Sequence, residues 1–346
     1  MKILIIKSSS MGDVVHALPV AFDIAQHFPD AVIDWVAEES FRDIPRLSPF
    51  VGDIIQTAFR RWQKHPTAAE TWHEAGAVKR RLRDARYDIV IDLQGLARTG
   101  LVTHWAHAPK AAGFSFGCVR EWPAALFYSS GMRFPLEETM GAVHRYRALA
   151  AAALGYKAEG RPRFGLKTFR PNPMPLPGAY AALAVNTSQA RKLWPEENWI
   201  EVARQLSEHG LSSVLFWGND EEKQRVERIA KQAPGCIVAP RLPLADIASV
   251  LADASIVVGV DTGISHLGAA LGRPTIGIFV QTSLEKVPIA LDRCRQWMTS
   301  CSSAGDFSSE DWNEGLSAPH PGSGARRDGV SPLPEPPPAC LSEFLG

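Results

Sequence analysis

The chain lacks the features that mark several common classes of protein. Its 346 residues contain five cysteines, and none of these forms a Cys-x-x-Cys pair. The cysteines are Cys118, Cys236, Cys294, Cys301 and Cys340. Thiols so scattered, and odd in number, indicate a reducing cytosol rather than a disulfide framework or a zinc site. No apolar run approaches the ~20 residues that a membrane helix needs, and the apolar run at the start is too short for a signal peptide.

The sequence also lacks an excess of charge of either sign, because 37 Lys and Arg residues balance 37 Asp and Glu residues. No global field therefore attracts the chain to nucleic acid or lipid, and any such attraction must be local. The turn at Gly12 lacks the G-x-G-x-x-G spacing of a nicotinamide-binding turn. We also find no Ser-His-Asp spacing of a hydrolytic triad. We therefore expect a cytoplasmic globular monomer without a nucleic-acid partner.

Short β-rich runs alternate with helical patterns in both halves of the chain. The first half has predicted strands at Ile3–Ile6, Val32–Val36, Ile54–Thr57 and Ile89–Leu93, and predicted helices at Val14–His27, Ala68–Ala85 and His144–Leu154. The second half has predicted strands at Ala181–Val185, Val214–Trp217, Ile237–Ala239, Ile256–Val260 and Thr275–Phe279, and predicted helices at Pro195–Glu208, Glu221–Ala233 and Leu244–Ala252. This alternation predicts an α/β protein with two doubly wound parallel sheets, each covered by helices on both faces.

Composition sets the expected domain limits. A Pro-rich segment at 159–178 is typical of a linker, and it separates predicted domains at 1–158 and 179–283. Two doubly wound domains side by side would leave a cleft at the carboxyl ends of their strands, where ligands bind. The remaining residues, 284–346, are rich in Ser, Gly and Pro without apolar periodicity, so we expect loop or disorder there.

The most informative stretch is Val260–His266, which links a predicted strand to a predicted helix. A helix N-terminus offers unpaired N–H groups and a partial positive charge, which suit a phosphate. The hydroxyls of Thr262 and Ser265 and the ring of His266 add donors, and Gly263 lets a ligand approach the backbone. The stretch thus predicts a cradle for a pyrophosphate. The alternative is an ordinary turn in which Asp261 is the N-cap.

Two further turns are expected at the same edge of the second sheet. The loop 186–195 carries hydroxyls and two cations, and its Lys192 is a compact charge suited to a phosphate oxygen. The turn 217–222 ends in Glu222, which can accept hydrogen bonds from ribose hydroxyls. The alternatives are a solvated basic loop and a favourable first-turn acid. The loop 186–195 and the turn at Asp261 are two anion-binding turns on one edge, and together they favour a nucleotide site more than either turn alone.

In the first domain, Asp13 follows the first predicted strand, where a carboxylate can serve as a general base. The alternative is a helix cap or a first-turn acid.

A basic patch in the same domain can receive an anionic acceptor, or it can be a solvated charge run. Its cations are Arg60, Arg61 and Lys64, with Arg98 and Arg120 farther along the chain. His104 and His107 have the spacing of one helix face, but no carboxylate or cysteine nearby completes a metal site, so we interpret them as structural.

Three ordered motifs carry a resemblance to a known family. They are SSSMGDVVHALP at Ser8–Pro19, RKLWPEENW at Arg191–Trp199 and VDTGISHLGAAL at Val260–Leu271. Together they resemble the heptosyltransferases of glycosyltransferase family 9, which have the GT-B fold of two Rossmann-like domains facing across a cleft. The resemblance extends from Met1 to about Ser283. The Asp-Thr-Gly form and the Arg-Arg-Trp patch are more similar to the type I enzymes than to type II.

The resemblance implies inverting transfer of L-glycero-D-manno-heptose from ADP-heptose to Kdo of Kdo2-lipid A in lipopolysaccharide core synthesis. It implies no metal or cofactor, and a location on the cytoplasmic face of the inner membrane. Asp13 would be the catalytic base and Lys192 the second catalytic residue. The implied donor-binding residues are Thr187, Ser188, Lys192, Glu222, Leu242, Asp261, Thr262, Gly263 and His266. The implied acceptor-binding residues are Arg60, Arg61, Lys64 and Arg120.

The sequence departs from the family pattern after Thr282, where a Gly-containing turn, a strand and a closing helix usually follow. Residues 284–346 show none of these and resemble a sequence read out of frame. Two alternatives therefore stay open. One is an inactive ADP-sugar-binding protein disabled by its altered C-terminus. The other is a related enzyme, such as a different family 9 transferase of the type II kind or a sugar-nucleotide epimerase of the same architecture.

Overall fold

The computed structural model describes residues 1–135, 141–174, 176 and 178–280, together with the backbone of a strand at 294–298. The expectation of disorder in the C-terminal tail, and its resemblance to an out-of-frame sequence, otherwise lie outside the described residues. The chain divides into two units. Unit 1 contains Met1–Pro173 and Pro243–Ala252, and unit 2 contains Met174–Leu242 with the described residues from Asp253 onward.

Unit 1 is a parallel sheet with helices between its strands. In chain order its elements are β1 (Lys2–Ile6), α1 (Met11–His27), β2 (Val32–Glu38), β3 (Ile54–Thr57), α2 (Phe59–Lys64), α3 (Ala69–Asp84), β4 (Ile89–Asp92), α4 (Ala97–Trp105), β5 (Lys110–Phe114), β6 (Arg133–Phe134) and α5 (Ala142–Leu154). A 3₁₀ helix at Trp122–Phe127 lies between β5 and β6. The strand order is β3-β2-β1-β4-β5-β6, with every pair parallel.

Unit 2 repeats this plan. Its elements are β7 (Tyr180–Ala184), α6 (Glu196–Glu208), β8 (Ser212–Leu215), α7 (Asp220–Gln232), β9 (Cys236–Val238), β10 (Ile256–Val260), α9 (Gly263–Ala270), β11 (Thr275–Phe279) and β12 (Cys294–Met298). The order β12-β11-β10-β7-β8-β9 is again parallel throughout. Helix α8 (Leu244–Asp253) comes between β9 and β10 in the chain, but most of it groups with unit 1. There Arg170 donates to Asp246 at 3.0 Å, and Ser249 donates to the Arg170 carbonyl at 2.8 Å.

Continuous apolar runs explain why the central strands are buried on both faces. In β1, Leu4 and Ile6 join a core with Leu82 of α3 and Val102 of α4. The intervening Ile3 and Ile5 are just as fully buried, as they must be when helices cover both faces of a parallel sheet. Burying each such side chain contributes about 2 kcal/mol to folding.

The core of unit 2 is built in the same way. Trp199 of α6 is fully buried and packs edge-to-face on Trp194, with ring centroids 5.2 Å apart. Both rings join a core with Leu183 of β7, Leu215 of β8 and Val258 of β10. The motif around Trp194 and Trp199 thus fixes α6 against the sheet, and with it the loop that precedes α6.

In both sheets the strand order reverses beside the first strand, between β1 and β4 in unit 1 and between β7 and β10 in unit 2. Such a switch point opens a crevice at the carboxyl ends of the strands, where ligands of doubly wound sheets bind. The predicted fold class, α/β with two doubly wound parallel sheets, is confirmed. The predicted limits of the domains stay a prediction.

Two details of the sequence analysis are wrong. We expected no strand after residue 284, yet β12 pairs in parallel with β11, in a register that aligns Cys294 with Thr275. Backbone hydrogen bonds to the edge of a sheet require no apolar periodicity, so the pattern could not show this strand. Pro195 was expected as the first helical residue of α6, but it is the N-cap, with φ −53° and ψ 143°. No helix of the described residues is long and apolar enough to cross a membrane.

Candidate active site at the two switch points

Unit 2 gathers charged side chains at its switch point. The Lys192 ammonium lies 2.5 Å from Asp261 Oδ2. The other carboxylate oxygen, Oδ1, is 3.2 Å from Nε2 of the buried His266. Thr187 donates its hydroxyl to the Asp261 carbonyl at 3.5 Å. The loop after β7 and the turn after β10 therefore meet at one edge of the sheet, as the sequence indicates for parallel neighbours.

The turn after β10 directs a helix N-terminus into this group. Thr262 is the N-cap of α9, with extended φ −143° and ψ 158°, so Asp261 is not the cap. Gly263 begins the helix, and the N–H groups of a first turn have no partner within the helix. A ligand anion placed there would meet these donors and the positive end of the helix dipole.

Ser265 does not provide the ligand donor expected from the sequence. Its hydroxyl is buried and donates to the Val260 carbonyl at 2.8 Å. A Cβ on Gly259 would lie 2.2 Å from the Ser265 oxygen and 2.6 Å from Cβ of Ala184, so only glycine fits in the strand there. Ser265 and Gly259 together hold α9 tightly against the end of β10, which fixes the position of the helix N-terminus.

The turn after β8 is organised by a helix cap. Asn219 caps α7 by accepting from the Glu222 N–H at 2.9 Å, and the Glu222 carboxylate accepts from the Gly218 N–H at 2.7 Å. Glu222 is thus a capping acid in this structure, and its role at a ribose stays a prediction. Ser188 is exposed in the loop after β7, and Leu242 is half-buried immediately before Pro243.

Unit 1 places the carboxylate of Asp13 at its own switch point. Asp13 lies in the first turn of α1, where its Oδ2 accepts from the N–H and the hydroxyl of the N-cap Ser10 at 3.1 and 2.9 Å. Its Oδ1 accepts from the Tyr146 hydroxyl of α5 at 3.1 Å and lies 3.9 Å from Lys7 Nζ. Asp13 is therefore a first-turn acid held on both oxygens, yet its side chain stays partly exposed.

The neighbours of Asp13 control its charge. Burial raises the pKa of the Asp13 carboxyl, but the Lys7 ammonium, the two Ser10 hydrogen bonds and His16 together outweigh burial. The resulting pKa lies below the ordinary value of 3.8, so Asp13 is a carboxylate at neutral pH. Burial also raises the pKa of the Tyr146 hydroxyl well above its ordinary value, so this group stays a hydrogen-bond donor.

Lys7 is the cation behind this carboxylate. It is buried at the end of β1, where its ammonium donates to the Leu93 carbonyl at 3.4 Å and lies 4.4 Å from the centroid of the Tyr146 ring. Burial lowers the pKa of Lys7, and Arg120 and Arg145 lower it further, while Asp13 and Asp92 oppose these effects. No role was predicted from the sequence for Lys7 or Tyr146. Contacts this distant in sequence leave no local signal.

The predicted basic patch is only partly open. Arg61 is engaged by Glu39 and Glu74, with Nη2 3.0 Å from a carboxylate oxygen of each. Arg60 and Lys64 are exposed on the short helix α2, and the Arg60 guanidinium lies 5.2 Å from the centroid of the Phe41 ring. Trp62, between them, is buried in the core of unit 1.

Arg120 belongs to a different part of the unit. It is exposed in the loop after β5, close enough to lower the pKa values of Lys7 and Tyr146. It therefore lies beside the Asp13 group.

The remaining candidates have ordinary surroundings. The rings of His104 and His107 are 5.4 Å apart, but His107 lies beyond the end of α4 with φ +50°, so the two do not share a helix face. Among the described residues, no group of three or more His, Cys, Asp or Glu side chains is placed to hold a metal ion.

Comparison with known proteins shows the class of protein to which this chain belongs. The sequence profile of glycosyltransferase family 9 (heptosyltransferase) matches residues 75–316. Lipopolysaccharide heptosyltransferase 1 of Pseudomonas aeruginosa is 38% identical over 284 residues, which cover 82% of this chain and 79% of the relative.

Two solved structures are similar over most of their length. E. coli heptosyltransferase WaaC with ADP has a TM-score of 0.80 and 34% identity, covering 88% of this chain and 97% of that chain. The same enzyme with ADP-2-deoxy-2-fluoro heptose has a TM-score of 0.77, with the same identity and coverage. Two doubly wound units with polar switch points and these similarities define a glycosyltransferase of the GT-B fold class. The chain belongs to glycosyltransferase family 9, and the resemblance noted in its motifs is confirmed. Because the profile match reaches residue 316, the family similarity extends beyond Ser283, where we expected it to end.

Proposed function

We propose that the protein transfers L-glycero-D-manno-heptose from ADP-heptose to Kdo of Kdo2-lipid A, with inversion at the anomeric carbon. The observation that carries the proposal is the group formed by Lys192, Asp261 and His266 at the N-terminus of α9. Its donors suit a diphosphate, and its carboxylate suits sugar hydroxyls. The similarity to WaaC, solved with ADP and with a fluorinated ADP-heptose, supports this donor.

On the donor side, the diphosphate would replace Asp261 as the partner of Lys192. The phosphate oxygens would then be held by Lys192, by the hydroxyls of Thr187 and Thr262, and by the first N–H groups of α9. Asp261 would be released to accept hydrogen bonds from heptose hydroxyls. The ring of His266 would donate a further hydrogen bond to the phosphates.

The nucleoside part of the donor would extend along the turns after β8 and β9. Glu222 would exchange its Gly218 contact for the ribose hydroxyls, and Leu242 would pack on the adenine. Ser188 and Gly263 would contact the phosphates through a hydroxyl and through exposed backbone. We propose that no metal or cofactor takes part, because Lys192 and the helix N-terminus supply positive charge to the departing ADP.

On the acceptor side, Asp13 would act as the base. The hydroxyl oxygen of Kdo forms a bond to the anomeric carbon of heptose, while its proton passes to a carboxylate oxygen of Asp13. The bond between the anomeric carbon and the ADP oxygen breaks, and ADP departs with the bonding electrons. Lys7 and Tyr146 would hold Asp13 ionised and oriented until the proton arrives.

The cations of unit 1 would attract the acidic acceptor. Kdo carries a carboxylate and lipid A carries phosphates, which Arg60, Lys64 and Arg120 can bind. Arg61 would contribute only after releasing Glu39 or Glu74. A lipid acceptor also implies that the enzyme works at the cytoplasmic face of the inner membrane, as a peripheral protein.

A transfer assay with purified protein tests the proposal. ADP-heptose and Kdo2-lipid A should yield a product one heptose heavier by mass spectrometry, with an inverted anomeric configuration by NMR. A UDP-sugar in place of ADP-heptose should give no product. Transfer only to an acceptor that already carries heptose would indicate a type II enzyme. Donor binding in calorimetry without any turnover would indicate an inactive binder, and either outcome would contradict the proposal.

A further inference from the structure

A group of large apolar side chains in unit 1 is exposed to solvent around the 3₁₀ helix Trp122–Phe127. Trp122 is 64% exposed and Leu126 is 59% exposed, while Ala124 and Ala125 of the same helix are fully buried. Phe116, in the preceding loop, and Leu101, on α4, are also exposed. Exposing side chains of this size is unfavourable in water, so a contiguous set of them marks an interaction surface.

The contacts of the surrounding residues show that this set is contiguous. A Cβ on Gly100 would lie 2.5 Å from the Phe127 ring and 3.0 Å from Cα of Ala124, so α4 packs directly on the 3₁₀ helix and brings Leu101 beside it. The Arg133 guanidinium lies 5.2 Å from the centroid of the Phe116 ring and donates to the Ala125 carbonyl at 2.9 Å.

Positive charge surrounds the same residues. Arg133 is half-buried at one side, and Arg120 is exposed two residues before Trp122. The adjacent acid, Glu121, accepts from the Ala97 N–H at 2.8 Å and so caps the start of α4. Apolar side chains flanked by arginines complement a surface that has an anionic outer layer over an apolar interior.

We propose that this surface, formed by Leu101, Phe116, Trp122 and Leu126 with Arg120 and Arg133, docks on an anionic lipid bilayer. Tryptophan favours the boundary between headgroups and acyl chains, and arginine can keep its charge at the headgroups while its stem lies on apolar surface. Anionic lipids add electrostatic attraction to the apolar insertion. The inference rests on the proposed function, because a lipid-borne acceptor gives the enzyme a reason to bind the bilayer.

Binding of the full-length protein to vesicles tests the proposal directly. Vesicles of phosphatidylglycerol and phosphatidylethanolamine should bind the protein and shift Trp fluorescence to the blue, and phosphatidylcholine vesicles should bind it more weakly. The variant Trp122→Ser/Leu126→Ser should lose about tenfold or more in vesicle affinity, because it removes most of the inserting apolar surface. Trp72→Ser is the matched control, because Trp72 is 70% exposed on α3, which contributes no residue to this surface.

Activity separates this proposal from the proposed function. With an acceptor that lacks acyl chains, the double variant should turn over as fast as the unaltered protein. Loss of transfer in both proteins would contradict the proposed function and leave vesicle binding as an independent result. The docking proposal is overturned if the double variant binds vesicles as tightly as Trp72→Ser. It is also overturned if the surface instead mediates a concentration-dependent dimer, in sedimentation, that the double variant abolishes.

Discussion

The two switch points each pair a lysine with an aspartate, and they arrange the pair in opposite senses. In unit 1 the lysine is inside, because the side chain of Lys7 is 4% exposed and that of Asp13 is 33% exposed. In unit 2 the acid is inside, because the side chain of Asp261 is 7% exposed and that of Lys192 is 19% exposed. One switch point therefore presents a carboxylate and the other a cation.

The spacing of the charges follows the same division. Lys7 and Asp13 are 3.9 Å apart, which leaves room for Ser10 and Tyr146 to hold the carboxylate. Lys192 and Asp261 are 2.5 Å apart, a direct charge-assisted contact. An outward carboxylate that stays ionised at neutral pH is available to accept a proton, whereas a lysine whose present partner is another side chain can exchange that partner for an anion. The same fold thus provides two chemistries, which differ in whether the lysine or the aspartate of the pair is the more buried.

The carboxylate that unit 1 presents at its switch point is tested by Asp13→Ala, which should have the largest effect. Loss of the base should lower kcat by about 10³-fold, while calorimetry should give unchanged donor affinity, because the carboxylate belongs to unit 1 alone. Asp30→Asn, at an exposed position of the same unit, is the control and should have no effect. Equal turnover by Asp13→Ala and the unaltered enzyme would remove the assignment of Asp13 as the base.

The cation that unit 2 presents at its switch point is tested by Lys192→Ala. Without the cation, Asp261 should repel the diphosphate, so both donor affinity and kcat should fall, with kcat lower by about 10²-fold. Lys231→Ala, at an exposed position on α7, should leave both quantities unchanged. A variant that binds the donor as tightly as before would show that the phosphates lie elsewhere.

Packing at the unit 2 switch point can be tested with Gly259→Ala. The new methyl group would lie 2.2 Å from the Ser265 oxygen and 2.6 Å from Ala184 Cβ, which forces α9 away from the strand. We expect a loss of about 2 kcal/mol in the free energy of unfolding by urea denaturation, with weaker donor binding. Gly117→Ala is the control, because nothing lies within 4 Å of the added carbon. An unchanged stability for Gly259→Ala would mean that the turn relaxes freely and does not fix α9.

Local contacts in these two regions could be predicted from the sequence, and distant ones could not. Ser10 and Asp13 are three residues apart, the spacing of a helix cap, so a first-turn acid was among the predictions. Lys192 and Asp261 are 69 residues apart, and only the rule that parallel strands end at one edge brought their loops together. The Tyr146 contact spans 133 residues and depends on how α5 packs on α1, which no pattern in the chain encodes.

The same limit explains the other differences. Arg61 was predicted as an open cation because its neighbours in the sequence are basic. Its actual partners, Glu39 and Glu74, lie on other elements. Ser265 has the residue type of a ligand donor, but its hydroxyl completes a bond within its own turn. Residue type therefore predicts which chemistry is available, and tertiary contacts decide whether the group is free to perform it.

The smallest predicted effect concerns the charge behind the base. Lys7→Met removes the cation 3.9 Å from Asp13, so the carboxyl should be easier to protonate and its pKa should rise by about one unit. In the unaltered enzyme that pKa is below 3.8, so the base is charged across the neutral range and activity is lost only as the pH falls through it. The acidic limb of kcat/KM should therefore move to higher pH in Lys7→Met.

The matched control is Lys2→Met on the same strand, because Lys2 pairs with Asp34 at 3.5 Å and lies away from Asp13. Tyr146→Phe removes the hydrogen bond to Oδ1 and should shift the limb in the same direction as Lys7→Met. An acidic limb that stays in place in both variants would show that these two neighbours do not control the carboxyl. The unit 1 pair would then lose the electrostatic role that distinguishes it from the pair in unit 2.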